Sequence, residues 1–349
     1  MDNNELATIR AYKYLKLLEL GLTRSSVIYN DLLDLLKSGH VEGSVTMADL
    51  LYNAFLELGY MEKKDVDNLD KKGAGVDKDG KPLIYKEKNN KFAEFFANHD
   101  KGDRNAKFYN GSKQNNDWCA VFVHYLLFKT LGEKAAREAT YTPPGKTHGA
   151  GVQWDYEYYP FELHSFVNHK DVRAGDQVFF YTGKGLSHTG LVVANKDGYV
   201  YVIEGNTNPQ IGKDAKIVPR GKSVCLKRYA LDRIDLEFCR PYYKTMAVSS
   251  DILDYEKVAK KIVELYETLK KELESALTLQ EAASVYNFDE EEVEKTKAQI
   301  LKNKLKKLSE YIKAPVKDTA ISYKEEVMAT LYQMQAMLKK MQPASRKGK

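Results

Sequence analysis

Cysteine is scarce, with three residues in 349, at positions 119, 225 and 239. None lies in a C-x-x-C pair, and three cannot build a disulfide framework. A reduced compartment at synthesis and no structural zinc are expected. No run approaches the roughly 18 apolar residues of a membrane span. The opening MDNNELATIR has no apolar core, so the Sec route is not expected. A large excess of one charge sign is also lacking. The 54 Lys and Arg face 49 Asp and Glu, a net charge of +5 with the signs interleaved, which suits an anionic partner and gives no sign of nucleic acid. What is plentiful is ordinary core material. Hydrophobic residues make up 43% and charged residues 30%, as in a soluble folded chain. One core rarely serves more than about 250–300 residues, so two or three structural units are expected.

Three textures follow one another. Residues 1–42 read as two short helices, with Leu6, Ile9, Leu15 and Leu18 at near-helical spacing, a break at Gly21–Thr23, and a second series through Leu36. They carry no recognisable chemistry. Residues 43–245 place helices first and short alternating runs after, which is the α+β pattern. Thr46-x-x-Asp49 predicts a helix cap, and CAVFVHYLLFKTLG a buried helix closed by Gly132. DQVFFY, HTGLVVA, YVYVIEG and KSVCLKRYAL predict strands, with a hairpin turn at Asn195-Lys-Asp-Gly198. Residues 250–349 have no glycine before Gly348 and show three helical seams, at Val258–Leu269, Leu301–Ile312 and Val327–Met341. Caps at Asp289 and Ser322 and a break at Pro315 separate them. A three-helix bundle is favoured over an intermolecular coiled coil.

Chemistry concentrates at Cys119, His188, Glu204 and Asn206. Asp117 is read as an N-cap, which puts Cys119 in the first turn of its helix. Free N–H groups there stabilise a thiolate and a developing oxyanion. Alternation puts Val200, Val202, Glu204 and Asn206 on one strand face, where a carboxylate and an amide after two valines are out of place unless used. The hairpin brings residues near 188 opposite residues near 205, so His188 can reach Glu204 or Asn206. That is the nucleophile, base and orienter logic of cysteine hydrolases. A lone Cys before an apolar helix is more often inert, and Cys225 and Cys239 are read that way. His124 is read as a core residue and His164 and His169 as surface residues. The run Trp154–Pro160 is equally a substrate wall or a packed loop.

These pieces resemble the CHAP domain, the cysteine- and histidine-dependent amidohydrolases and peptidases that cut peptidoglycan. The resemblance is carried by Asp117–Val123, Ala174–Phe180, Ser187–Val192 and Val202–Thr207 in that order. Leu58–Lys63 upstream and Ser223–Tyr229 with Arg240-Pro241 downstream add to it, over roughly residues 46–243. It implies a papain-like α+β fold, with Cys119 as nucleophile, His188 as base, Glu204 as its orienter and Asn206 as the fourth polar member. It implies a peptidoglycan hydrolase of the endolysin or virion-associated kind, acting on the wall after release by a holin or from a virion. Whether it is an amidase or an endopeptidase stays open. The C-terminal helices would bind a wall polymer, a virion or a second copy. Two rivals are an assembly protein with a CHAP-like binding module and an intracellular amidase for a small amide. Some phage members hold calcium just before the Cys. Tyr109–Asn116 has no carboxylate, so neither calcium nor any other cofactor is expected.

Overall fold

The computed structural model describes residues 3–19, 23–72, 78, 83, 87–99, 114–143, 151–159, 167–182, 185–210, 221–244, 246–247 and 253–285. The seams at Leu301–Ile312 and Val327–Met341, the caps at Asp289 and Ser322, Pro315, His164 and residues Tyr109–Lys113 lie outside them. Two compact units divide the chain, Met1–Glu274 and Ser275–Lys349. Of the second, only the end of the last helix is described.

The first unit is α+β. Its centre is a five-stranded antiparallel sheet in the order β5-β4-β3-β2-β6. The strands are β2 (Gln177–Thr182), β3 (Gly185–Lys196), β4 (Tyr199–Thr207), β5 (Ser223–Ala230) and β6 (Leu236–Cys239). β3 and β4 meet at the expected hairpin, where Asp197 and Gly198 take φ of 53° and 78°. Positive φ at both central residues is the primed-turn geometry that matches strand twist. Val178, Phe180, Val192, Val200, Val202, Tyr229, Leu236 and Phe238 form one core of the sheet. The other side receives α5 (Cys119–Leu131), in which every residue from Cys119 to Leu127 is buried. Gly205 makes this approach close: a Cβ there would lie 2.6 Å from Trp118 Cζ3 and 2.7 Å from Phe122 Cβ.

The expected helices form as α1 (Asn3–Glu19), α2 (Arg24–Lys37) and α3 (Met47–Leu56), and α4 (Lys91–His99) follows them. α3 starts from a capping box. Thr46 Oγ1 accepts the Asp49 N–H at 3.2 Å, and Asp49 Oδ2 accepts the Thr46 N–H at 2.8 Å. Two short helices were not foreseen, α6 (Glu133–Ala139) and α7 (Val152–Tyr158). α7 takes up most of the aromatic run at 154–160. It is fastened by Asp155, whose Oδ2 lies 3.0 Å from His124 Nε2 with both side chains buried, and by the Tyr156 hydroxyl on Glu237. His124 is thus a core residue, as expected. His169 is not a surface residue. It is half-buried, and its ring nitrogens meet the carbonyls of Leu231 at 2.6 Å and Leu236 at 3.1 Å.

Helices α1 and α2 belong to this same unit. Ala11 and Leu15 pack on Met61, and the Tyr14 hydroxyl accepts the backbone N–H of Leu226 in β5 at 2.9 Å. β1 (Val45–Thr46) pairs in parallel with β7 (Met246–Ala247). The unit also runs past residue 245 into α8 (Tyr255–Val285). Val258, Ile262, Leu265, Tyr266, Leu269 and Leu273 are buried along its first five turns, which is the expected 258–269 seam extended by one turn. Tyr266 packs edge-on to Tyr201 at 5.6 Å. Arg228 pairs with Glu267, Arg24 with Glu264 at 3.2 Å, and Ser25 with Glu272. Among the described residues, no helix is long and apolar enough to cross a membrane.

Candidate active site

Cys119 is the first residue of α5, with Trp118 as its N-cap. The Asp117 cap expected from sequence does not form. Its carboxylate instead pairs with Lys88 at 2.5 Å and accepts from Asn206 Nδ2 at 3.4 Å. The placement of Cys119 rests on Trp118, whose ring stacks on Phe92 at 5.4 Å and whose Nε1–H donates to Glu62 Oε2 at 3.3 Å. Glu62 is buried and accepts from Lys222 Nζ at 2.7 Å on its other oxygen. Burial pushes the Glu62 carboxyl up, against the pull of Lys222 and Trp118. Glu62 lies in the Leu58–Lys63 stretch, which runs beside the start of β5. Val224 N–H donates to Tyr60 O, and Glu62 N–H to Lys222 O. The two outer pieces of the sequence resemblance are therefore neighbours that brace the residue before the thiol.

His188 lies within β3, opposite Phe180 of β2. Its Nε2 is 2.9 Å from Glu204 Oε2, and both side chains are fully buried. This leaves Nδ1 as the nitrogen not used by Glu204, and Nδ1 is buried with no hydrogen-bond partner. Burial by itself pushes the imidazolium down. The neighbouring Cys119 sulfur, then Glu204, outweighs it and lifts His188 to about 9. Glu204 is pushed up by burial and pulled down by Lys227, His188 and Tyr229, which together hold it at about 2. Its two oxygens are fully engaged. Tyr229 OH donates to Oε1 at 2.6 Å, and Lys227 Nζ lies 3.3 Å from Oε2. Gly190 leaves the room Glu204 occupies, since a Cβ there would stand 2.8 Å from Glu204 Cγ.

Of the four residues singled out, His188 and Glu204 are paired side chains, and Cys119 is near enough for its sulfur to act on His188. Asn206 departs from its expected face. The register shifts between Glu204 and Thr207, and Asn206 takes the left-handed region at φ 58°. Strand alternation ends there, so Asn206 turns to Asp117 rather than to His188. Its Oδ1 is buried with no hydrogen-bond partner, an acceptor held beside the site. Cys225 and Cys239 are core thiols, and burial pushes Cys225 up to about 12 and Cys239 up further. Among the described residues, no group of three or more His, Cys, Asp or Glu side chains is placed to hold a metal ion.

Lys227 and Tyr229 escaped the sequence reading. The signal that found Glu204 would have found them, because alternation along KSVCLKRYAL puts Cys225, Lys227 and Tyr229 on one face. A lysine between a cysteine and a tyrosine on a buried face is as displaced as a glutamate after two valines. Comparison with the curated proteins and with the solved structures finds no match. The family model described as the CHAP domain matches residues 110–206, the segment that holds Cys119, His188, Glu204 and Asn206. The resemblance carried by the motifs therefore holds, and over those residues the chain is similar to a domain family that indicates a hydrolase of the amidase or peptidase kind, with peptidoglycan as the implied substrate.

Proposed function

We propose that the protein hydrolyses an amide bond of the peptidoglycan stem peptide, or of its link to the sugar, through a Cys119 thiolate. The observation that carries this reading is the buried run from Cys119 through His188 to Glu204. His188 Nδ1 takes the thiol proton. The thiolate attacks the carbonyl carbon, and the oxyanion develops at the start of α5, where first-turn N–H groups have no intrahelical partner. As the tetrahedral intermediate collapses, the C–N bond breaks and Nδ1–H protonates the leaving amine. Water, deprotonated by Nδ1, then hydrolyses the thioester. The products are a carboxylic acid and an amine, and the thiol is restored. Glu204 holds Nε2 throughout, which fixes the ring and the tautomer.

The biological setting that best suits this chemistry is a phage endolysin or virion-associated lysin, reaching the wall through a holin or from a virion. The C-terminal helices then serve as the wall-binding or assembly module. Purified sacculi treated with the wild-type protein should release soluble muropeptides, and mass spectrometry should identify the new termini. A new N-terminal alanine on free stem peptides marks the amidase, and a new terminus inside the stem or bridge marks the endopeptidase. Intact sacculi after treatment with protein whose Cys119 is shown to be reduced would refute the proposal.

A further inference from the structure

Lys227 lies outside the matched residues 110–206, yet it is only 1% exposed and sits against the centre of the site. Its ammonium is 3.3 Å from Glu204 Oε2 and donates to Thr207 Oγ1 at 3.0 Å. A lysine this deep is rarely retained without a charge to answer. The groups facing this ammonium and its carboxylate come from four elements. They are His188 of β3, Glu204 and Thr207 of β4, Cys225 and Tyr229 of β5, and, across His188, Cys119 of α5.

Counting charge over Cys119, His188, Glu204 and Lys227 shows what the lysine does. With thiol and neutral imidazole, Glu204 and Lys227 cancel. After the proton moves from Sγ to Nδ1, thiolate, imidazolium, carboxylate and ammonium again sum to zero. Both ends of the proton transfer are thus neutral as a set, in a buried site where a net charge is costly. Without Lys227, the neutral combination becomes imidazolium, carboxylate and a thiol that keeps its proton. The nucleophilic form would then carry a net negative charge.

We propose that Lys227 is a positioning residue for the thiol chemistry, whose buried ammonium keeps Glu204 ionised and the Cys119 thiolate–His188 imidazolium state neutral as a set. This rests on the hydrolase function proposed above. Its test needs no wall substrate. The rate of Cys119 alkylation by iodoacetamide is measured against pH by peptide mass spectrometry, in the full-length wild type and in Lys227→Met. The profile of the variant is expected to move to higher pH by about one unit, which is about a ten-fold slower reaction on its acid side. A folded Lys227→Met whose profile coincides with wild type overturns the proposal. If Lys227→Met fails to fold, Glu204→Gln in the same chain is expected to restore folding, because the unanswered carboxylate is then gone. Failure of Glu204→Gln to restore it also overturns the proposal. On sacculi, folded Lys227→Met is expected to lose about 10²-fold in kcat with KM unchanged. A wild-type protein that alkylates at Cys119 but cuts no wall would refute the hydrolase function and leave the role of Lys227 standing.

Discussion

His188 Nε2 lies 2.9 Å from Glu204 Oε2, so Nδ1, not Nε2, is the ring nitrogen left without a hydrogen-bond partner. The orientation is held from behind, by Lys227 and Tyr229 on the two oxygens of Glu204. A base whose free nitrogen is chosen by a buried carboxylate has its tautomer fixed before any substrate arrives.

The elevated value of His188 is therefore expected to depend on Cys119 first and on Glu204 second. In Cys119→Ala, the His188 ring should titrate at lower pH than in the wild type, with the fold intact, because Ala suits the first turn of a helix. Ring carbon and proton shifts of labelled histidine read this directly. An unchanged titration would mean that the thiol does not sit against Nδ1.

Stability should follow pH in two opposite senses. His188 is raised in the fold, so its contribution is complete below about 6.5 and is lost as pH rises through about 9. Glu204 is depressed, so its contribution is present above the ordinary carboxylate range and is lost as pH falls toward about 2. Urea midpoints measured from pH 3 to pH 10 should fall at both ends. In Cys119→Ala the alkaline loss should begin at lower pH. An alkaline limb that stays in place in this variant would contradict the assignment.

Gly205→Ala tests how α5 is seated. The added Cβ meets Trp118 and Phe122 at under 3 Å, so the start of α5, and Cys119 with it, must shift. Overpacking of this kind costs about 1–3 kcal/mol. Thermal unfolding should show that loss, and Cys119 alkylation should slow even in protein that remains folded. A variant with wild-type stability and reactivity would show that the approach at Gly205 does not matter.

Much of this site was legible in the sequence because strand alternation and helix caps are local rules. The Asn195–Gly198 turn, the Thr46–Asp49 box and the faces of Val200, Val202 and Glu204 follow from neighbours a few residues apart. Asn206 failed because a bulge cancels alternation, and nothing in Glu-Gly-Asn announces a register shift. Asp117 failed as a cap because Lys88, 29 residues earlier, competes for its carboxylate. The brace of Glu62 by Lys222 joins residues 160 apart, which no periodicity reports.

The edge of the folding unit shows the same limit. The change of texture near residue 250 is real in composition, yet Leu253 and the buried seam of α8 lie with the sheet-bearing unit through Leu273. A cut near Ser249 removes those side chains, each worth about 1.5–3 kcal/mol of burial, bares the apolar surface they cover, and should leave a fragment that unfolds or aggregates. A cut after Val285 should leave a folded protein with reactive Cys119. Circular dichroism and alkylation of the two fragments check this. A stable, reactive fragment ending at Ser249 would show that α8 is dispensable to the fold.

The most direct measurement is the mass of the muropeptides released from purified sacculi by wild-type protein and by Cys119→Ala, at equal concentration and with the fold of each verified. The wild type is expected to release fragments with one new amine and one new carboxyl terminus per cut. Cys119→Ala is expected to lose about 10⁴-fold or more of that rate, while Cys225→Ala and Cys239→Ala keep it. Comparable release by folded Cys119→Ala would contradict the thiol mechanism outright.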